Sequence, residues 1–140
     1  MIDASVALKW FLKEDESQMA DSLFDAFLGN RIELLAPDIL LLEVANTLWK
    51  RTVLLKQLRS EEVISILHDF VTLPLNFQAS NPLVSRALDL SIRLRHPVYD
   101  MLYCVLAMQN DCEFVTADRV LVQRLTGALP FVRELASIEL

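Results

Sequence analysis

The chain has 140 residues, a formal net charge of −6 and an apolar fraction of 54%. A chain of this length usually builds one core, so we expect a single domain over residues 1–140. The negative charge argues against a protein that holds nucleic acid through a basic surface alone. No apolar stretch reaches the roughly 18 residues that a membrane span needs. The N-terminus does not resemble a signal peptide, so a cytoplasmic protein is expected.

The predicted elements alternate between strands and helices. Short apolar runs predict strands at 1–3, 32–36, 113–116 and 131–132. Helical spacing of apolar residues, with capping residues or proline near several starts, predicts helices at 14–28, 37–55, 60–71, 81–94, 98–109 and 117–125. Alternating strands and helices indicate an α/β fold with a parallel sheet covered by helices on both faces.

Four carboxylates interrupt or follow apolar runs: Asp3, Glu43, Asp100 and Asp118. Acidic side chains are rarely buried unless they are paired or bind a metal ion. Asp3, Asp100 and Asp118 fall near the ends of predicted strands or the starts of the following helices, where open α/β sheets bind ligands. Carboxylate oxygens suit Mg²⁺ or Mn²⁺ better than zinc. The sequence therefore predicts one divalent metal site that gathers these carboxylates.

A second polar feature lies on the helix that contains Glu43. Glu43, Asn46 and Thr47 share one face at spacings of three and four residues, on a helix that is otherwise apolar. Such a stripe needs polar partners or a metal ion. The alternative is local capping and salt bridges, with Asp38 and Asp118 as simple helix N-caps.

Four segments resemble, in order, the motifs of the PIN domain family, and closely those of the VapC-type toxins of bacterial toxin–antitoxin pairs. They are DASVALKWF at 3–11, EVANTL at 43–48, YDMLYCVLA at 99–107 and VTADRVL at 115–121. One departure is that only Met1 and Ile2 precede Asp3, where family members usually have a longer apolar strand.

The resemblance implies a three-layer α/β/α fold with a central parallel sheet and a metal-dependent endoribonuclease activity on single-stranded RNA. It places the family's catalytic and metal-binding acids at Asp3, Glu43, Asp100 and Asp118, with Mg²⁺ or Mn²⁺ as cofactor. It further implies supporting roles for Ser5, Asn46 and Thr116, and a cognate antitoxin as partner.

Several other features favour structural interpretations. His96 has no His or Cys neighbour in the sequence, so a ligand role is not expected. Tyr103 is expected to pack in the core. Lys50 and Arg51 belong to a basic cluster that either caps the end of a helix or contacts RNA.

The high apolar content without a membrane segment, together with the family resemblance, favours a homodimer, with the helices at 60–71 and 14–28 as candidate surfaces. Two other functions compete with the ribonuclease. One is a non-catalytic PIN-fold domain that binds a protein partner. The other is a phosphotransferase or response-regulator domain, which the sequence disfavours because no second aspartate closely follows Asp3 and no lysine follows the late strand at 113–116.

Overall fold

The computed structural model describes residues 1–12 and 15–139. Its α-helices are α1 (Ala4–Ala7), α2 (Ser17–Leu28), α3 (Ile39–Trp49), α4 (Ser60–Val71), α5 (Val84–Leu94), α6 (Val98–Gln109) and α7 (Arg119–Leu125). Its strands are β1 (Leu35–Pro37), β2 (Asn76–Gln78), β3 (Phe114–Thr116) and β4 (Val132–Glu134). None of the described helices is long and apolar enough to cross a membrane.

The strands form two parallel pairs, β1 with β2 and β3 with β4. The first two residues join the pairs. The Ile2 amide donates to the Leu35 carbonyl at 3.4 Å, and the Met1 carbonyl accepts from the Val115 amide at 2.9 Å. Ile2 and Val115 form a parallel bridge. The spatial order is therefore β2, β1, the first two residues, β3 and β4.

Helices cover both faces of this sheet. The chain moves one way across the sheet until β2 and then crosses to the other side of the first two residues to form β3. Because crossover connections between parallel strands are right-handed, the helices before β2 and those after it lie on opposite faces. The predicted three-layer α/β/α fold with a central parallel sheet is confirmed.

The core is built from side chains that the central strands contribute to both faces. Ile2 and Phe114 are fully buried, and the ring of Tyr103 from α6 stacks on Phe114 with ring centroids 5.2 Å apart. Phe70 of α4 and Leu40 of α3 are also fully buried. This packing fixes α6 against the centre of the sheet, where the predicted site residues lie.

The structure corrects several element boundaries. The helix expected at 117–125 starts at Arg119, because Asp118 caps its N-terminus. The helix expected at 37–55 is regular from Ile39 to Trp49 and then forms a π-helical turn at Lys50–Leu54. The predicted helix at 14–28 is described from Ser17 onward, and Glu14 lies outside the described residues.

Among the described α-helices and strands, β2 and α1 were not predicted. Strand β2 has polar residues, Asn76 and Gln78, on either side of Phe77, and in the described sheet it pairs with β1. Helix α1 is four residues long, which is too short for apolar periodicity to appear.

Ile2 gives a test of how far the fold depends on the chain's first residues. Ile2→Ala should lower the free energy of unfolding by about 2–5 kcal/mol, because it leaves a cavity in the core. Ile64→Ala is the matched control, since Ile64 is 68% exposed and Ile2 is 0% exposed. The control should cost under about 1 kcal/mol. Urea unfolding would measure both, and equal losses would contradict the central packing of Ile2.

Candidate functional site

Asp3 lies at the carboxyl end of the first two residues, in the middle of the sheet. It is buried, and both carboxylate oxygens accept hydrogen bonds. Oδ1 accepts from the Ser5 amide at 3.0 Å, the Ser5 hydroxyl at 2.6 Å and the Val6 amide at 3.2 Å. Oδ2 accepts from the Thr116 hydroxyl at 2.5 Å. Asp3 is therefore held by α1 and by the end of β3.

The Ser5 and Thr116 hydroxyls also connect Asp3 to the segment after β3. Ser5 Oγ accepts from the Ala117 amide at 2.8 Å, and Thr116 Oγ1 accepts from the Asp118 amide at 3.1 Å. The two hydroxyl oxygens lie 3.3 Å apart. These residues, which the resemblance gave supporting roles, thus set the distance between Asp3 and the backbone of Asp118.

Asp118 itself caps α7. Its Oδ1 accepts from the Val120 amide at 2.9 Å and the Leu121 amide at 3.0 Å. The capping alternative therefore describes the contacts of this side chain. Asp38, the other proposed N-cap, instead accepts from the amide and hydroxyl of Ser80.

Glu43 lies half-buried in the second turn of α3. Its Oε2 accepts a 2.6 Å hydrogen bond from the Tyr103 hydroxyl. The Tyr103 ring is 1% exposed, so a residue expected only to pack also contacts a candidate site residue. Helices α3 and α6 are joined at this point.

Asp100 lies in the first turn of α6 and is also half-buried. Its Oδ2 is 2.7 Å from Nε2 of His96, whose side chain is only 7% exposed. His96 was not expected at the site. The spacing of four residues between His96 and Asp100, and of three between Asp100 and Tyr103, is the signal that a sequence reading could have used.

Burial and like charge act together on these carboxylates. Burial raises the pKa of Asp3, and the hydrogen bonds from Ser5 and Thr116 oppose that rise. Burial also raises the pKa of Glu43, against the Tyr103 hydrogen bond, and the charges of Asp3 and Asp100 raise it further. The charges of Asp3 and Asp100 therefore affect Glu43, which groups three of the four predicted acids electrostatically. Asp118 joins them through the hydrogen bond between its amide and Thr116.

The donor chemistry of this region fits a divalent cation. Carboxylate oxygens are the ligands that Mg²⁺ and Mn²⁺ prefer, and repulsion among Asp3, Glu43 and Asp100 would be relieved by positive charge. The hydrogen bonds described for Glu43, Asp100 and Asp118 each use one carboxylate oxygen. Within residues 1–12 and 15–139, however, no group of three His, Cys, Asp or Glu side chains could hold a metal ion as placed.

The other predicted residues lie farther out on α3. Asn46 is exposed, one turn beyond Glu43. Lys50 and Arg51 belong to the π-helical turn. Arg51 is eight residues after Glu43, which is about 12 Å along a helix axis. The structure does not bring Lys50 and Arg51 to the carboxylates.

Comparison with known proteins bears on this arrangement. The sequence profile of the PIN domain matches residues 1–125, which include all four acids. The chain belongs to the PIN domain family. PIN domains are generally metal-dependent nucleases that use divalent ions.

The fold also matches a crystal structure, that of PAE2754 from Pyrobaculum aerophilum. The TM-score is 0.70 at 19% sequence identity, over 97% of this chain and 83% of that one. At this identity the match establishes a shared fold and no more. No curated protein sequence matches the chain significantly.

The buried Asp3 carboxylate predicts a pH dependence of stability. Its pKa is raised above the ordinary value of 3.8, so its favourable contribution is complete below that value and is lost as pH rises through the raised pKa. Glu43 acts in the same direction. In EDTA, the urea midpoint should therefore fall with rising pH above about 4, and Asp3→Asn should make the fall shallower. Equal slopes for both proteins would contradict the charged, buried state of Asp3.

Proposed function

We propose that this PIN domain is a metal-dependent endoribonuclease that cleaves single-stranded RNA, and that it is the toxin of a VapC-type toxin–antitoxin pair. The observation that carries the proposal is the match of the PIN domain over residues 1–125, which include all four acids. It is supported by the electrostatics of Glu43, whose pKa is raised by burial and further by the charges of Asp3 and Asp100. Positive charge is the natural complement of such a cluster.

In this proposal Asp3 and Asp100 are the closest ligands of Mg²⁺ or Mn²⁺, and Glu43 and Asp118 act directly or through water. The bound ion supplies an activated water and neutralises the phosphate. Side chains of the protein hold the ligands and position the water. Ser5 and Thr116 hold Asp3 in place, Glu43 or Asp118 positions the water, and Asn46 supports Glu43. Lys50 and Arg51 contact RNA phosphates beyond the scissile bond.

A non-catalytic PIN-fold domain that binds a protein partner is the second candidate. It is favoured by the hydrogen bonds that already satisfy each acid within the described residues, without an assembled metal site. The enzyme is preferred because all four acids are retained.

Cleavage of single-stranded RNA in Mg²⁺ or Mn²⁺ should stop in EDTA. Asp3→Asn and Asp100→Asn should each lower kcat by at least about 100-fold, because removing charge at the reacting phosphate is costly. Arg51→Ala should weaken cleavage only a few-fold, through loss of one phosphate contact. Asp21→Asn is the matched control, since Asp21 is exposed on α2.

Gel-resolved cleavage of a labelled oligoribonucleotide would measure these rates. Cleavage by Asp3→Asn at the rate of the unsubstituted protein would assign the activity to a contaminant or to another site. That result would leave the partner-binding domain as the better account.

The partners proposed are a second copy of the chain and an antitoxin. Helix α5 presents Val84, Leu88 and Ile92 on one face at spacings of four, and they are 46%, 52% and 69% exposed. Helix α2, one of the surfaces expected from sequence, exposes Leu28. We place the homodimer on α5. For the antitoxin we propose the apolar groove between α3 and α4, lined by Leu48, Trp49, Val53, Ile64 and Leu67.

In this proposal residues 1–140 are one domain, and the protein works in the cytoplasm, where its RNA substrate is. No membrane helix is present among the described residues.

Self-association can be tested by sedimentation at tens of micromolar. The protein should sediment at about twice the 16.0 kDa of one chain. Ile92→Glu should shift it toward the monomer, because a charge would then be buried in the interface. Leu28→Glu, at a 52% exposed position on α2, should leave the dimer intact. A monomer for the unsubstituted protein, or dissociation by the α2 variant alone, would contradict the α5 surface.

A further inference from the structure

The geometry of α3 and α6 points to one further role at the site. We propose that Tyr103 is a positioning residue that holds the Glu43 carboxylate in the orientation needed to bind a divalent cation or its water. The inference rests on the proposed metal-dependent activity and adds a residue that touches neither the cation nor the RNA.

The contact between the two residues is short, and the tyrosine side of it is held rigidly by the core. The Tyr103 hydroxyl donates to Glu43 Oε2 at 2.6 Å, across 60 residues of sequence. The Tyr103 ring is 1% exposed and stacks on Phe114 with an interplanar angle of 12°. Glu43 is on a long, flexible side chain, whereas the tyrosine ring cannot turn without disturbing the core. The hydroxyl is therefore the fixed partner, and the carboxylate takes its orientation from it.

The chemistry of the donor suits this role. The Tyr103 hydroxyl donates to the Glu43 carboxylate, so it acts as a neutral hydrogen-bond donor. A neutral donor orients a carboxylate without cancelling its charge. A lysine or arginine in the same place would compete with a cation. Carboxylates that bind metals are commonly held by hydrogen bonds of this kind.

A purely structural tyrosine would not need this hydroxyl. The Phe114 stack and the buried surface belong to the ring, which a phenylalanine would reproduce. A buried hydroxyl costs free energy unless it makes a hydrogen bond, and the one described for Tyr103 goes to Glu43. The atom that distinguishes tyrosine from phenylalanine thus points to the candidate site.

The test is the Mn²⁺ affinity of Tyr103→Phe, measured by calorimetric titration without RNA. We expect affinity to fall by at least about 10-fold, as is typical when the hydrogen-bond partner of a metal ligand is removed. Tyr99→Phe is the matched control, because Tyr99 is on the same helix but 59% exposed. It should bind Mn²⁺ as the unsubstituted protein does. Melting in EDTA shows whether each variant is folded.

A double-mutant cycle separates positioning from a general structural effect. If Tyr103 acts through Glu43, Tyr103→Phe should lower Mn²⁺ affinity no further in a Glu43→Gln protein. Two effects that multiply would mean that Tyr103 acts elsewhere, and would overturn the inference.

Three other results are decisive. If Tyr103→Phe binds Mn²⁺ as tightly as Tyr99→Phe does, the inference is wrong but the proposed function stands. If Tyr103→Phe is unfolded in EDTA, the hydroxyl serves stability and the inference is again overturned. If the unsubstituted protein binds no Mn²⁺ and cleaves no RNA, both the proposed function and the inference are wrong.

Discussion

The structure depends on one buried carboxylate at the middle of its sheet. Asp3 follows two residues that sit between β1 and β3, and its oxygens accept hydrogen bonds from α1 and from the end of β3. Those contacts join the first helix to the late half of the sheet. They also place a desolvated carboxyl group where the strand order reverses, which is where open α/β sheets bind ligands. Fold and candidate chemistry therefore rest on the same side chain.

The remaining acids are arranged around that charge at some cost to the folded state. Asp3 and Asp100 both disfavour the ionised form of Glu43, and burial adds to the effect. Neutral donors, the hydroxyls of Ser5, Thr116 and Tyr103, orient Asp3 and Glu43 without cancelling their charge. Asp100 meets His96 instead. A site arranged in this way keeps its negative potential available for a cation, which fits the divalent-ion chemistry that is general among PIN domains.

Much of the fold could be read from the sequence because its signals are local. The apolar periodicity of α4 and α6 predicted the residues at which these helices begin and end. The short apolar run before Asp118 predicted β3. Strand β2 was missed because its polar residues Asn76 and Gln78 give no strand pattern. Its extended conformation depends on pairing with β1, which is a non-local contact. The four acids stood out because each interrupts an apolar run.

The partners of those acids were harder to find. The bond between Tyr103 and Glu43 spans 60 residues and depends on how α6 packs on Phe114, which no local pattern encodes. Asp118 was expected at the site, with a helix N-cap as the alternative, because an aspartate before a helix is compatible with both roles. Its side chain is seen as a cap, while its amide belongs to the hydrogen-bond network of Thr116 and Asp3.

The hydroxyls of Ser5 and Thr116 have a consequence for how substitutions act on the molecule. Each hydroxyl donates to Asp3 and also accepts from a backbone amide that follows β3. The buried carboxylate and the entry to α7 therefore share one set of hydrogen bonds. A substitution that shifts the segment after β3 should disturb the orientation of Asp3 even if it touches no acidic side chain.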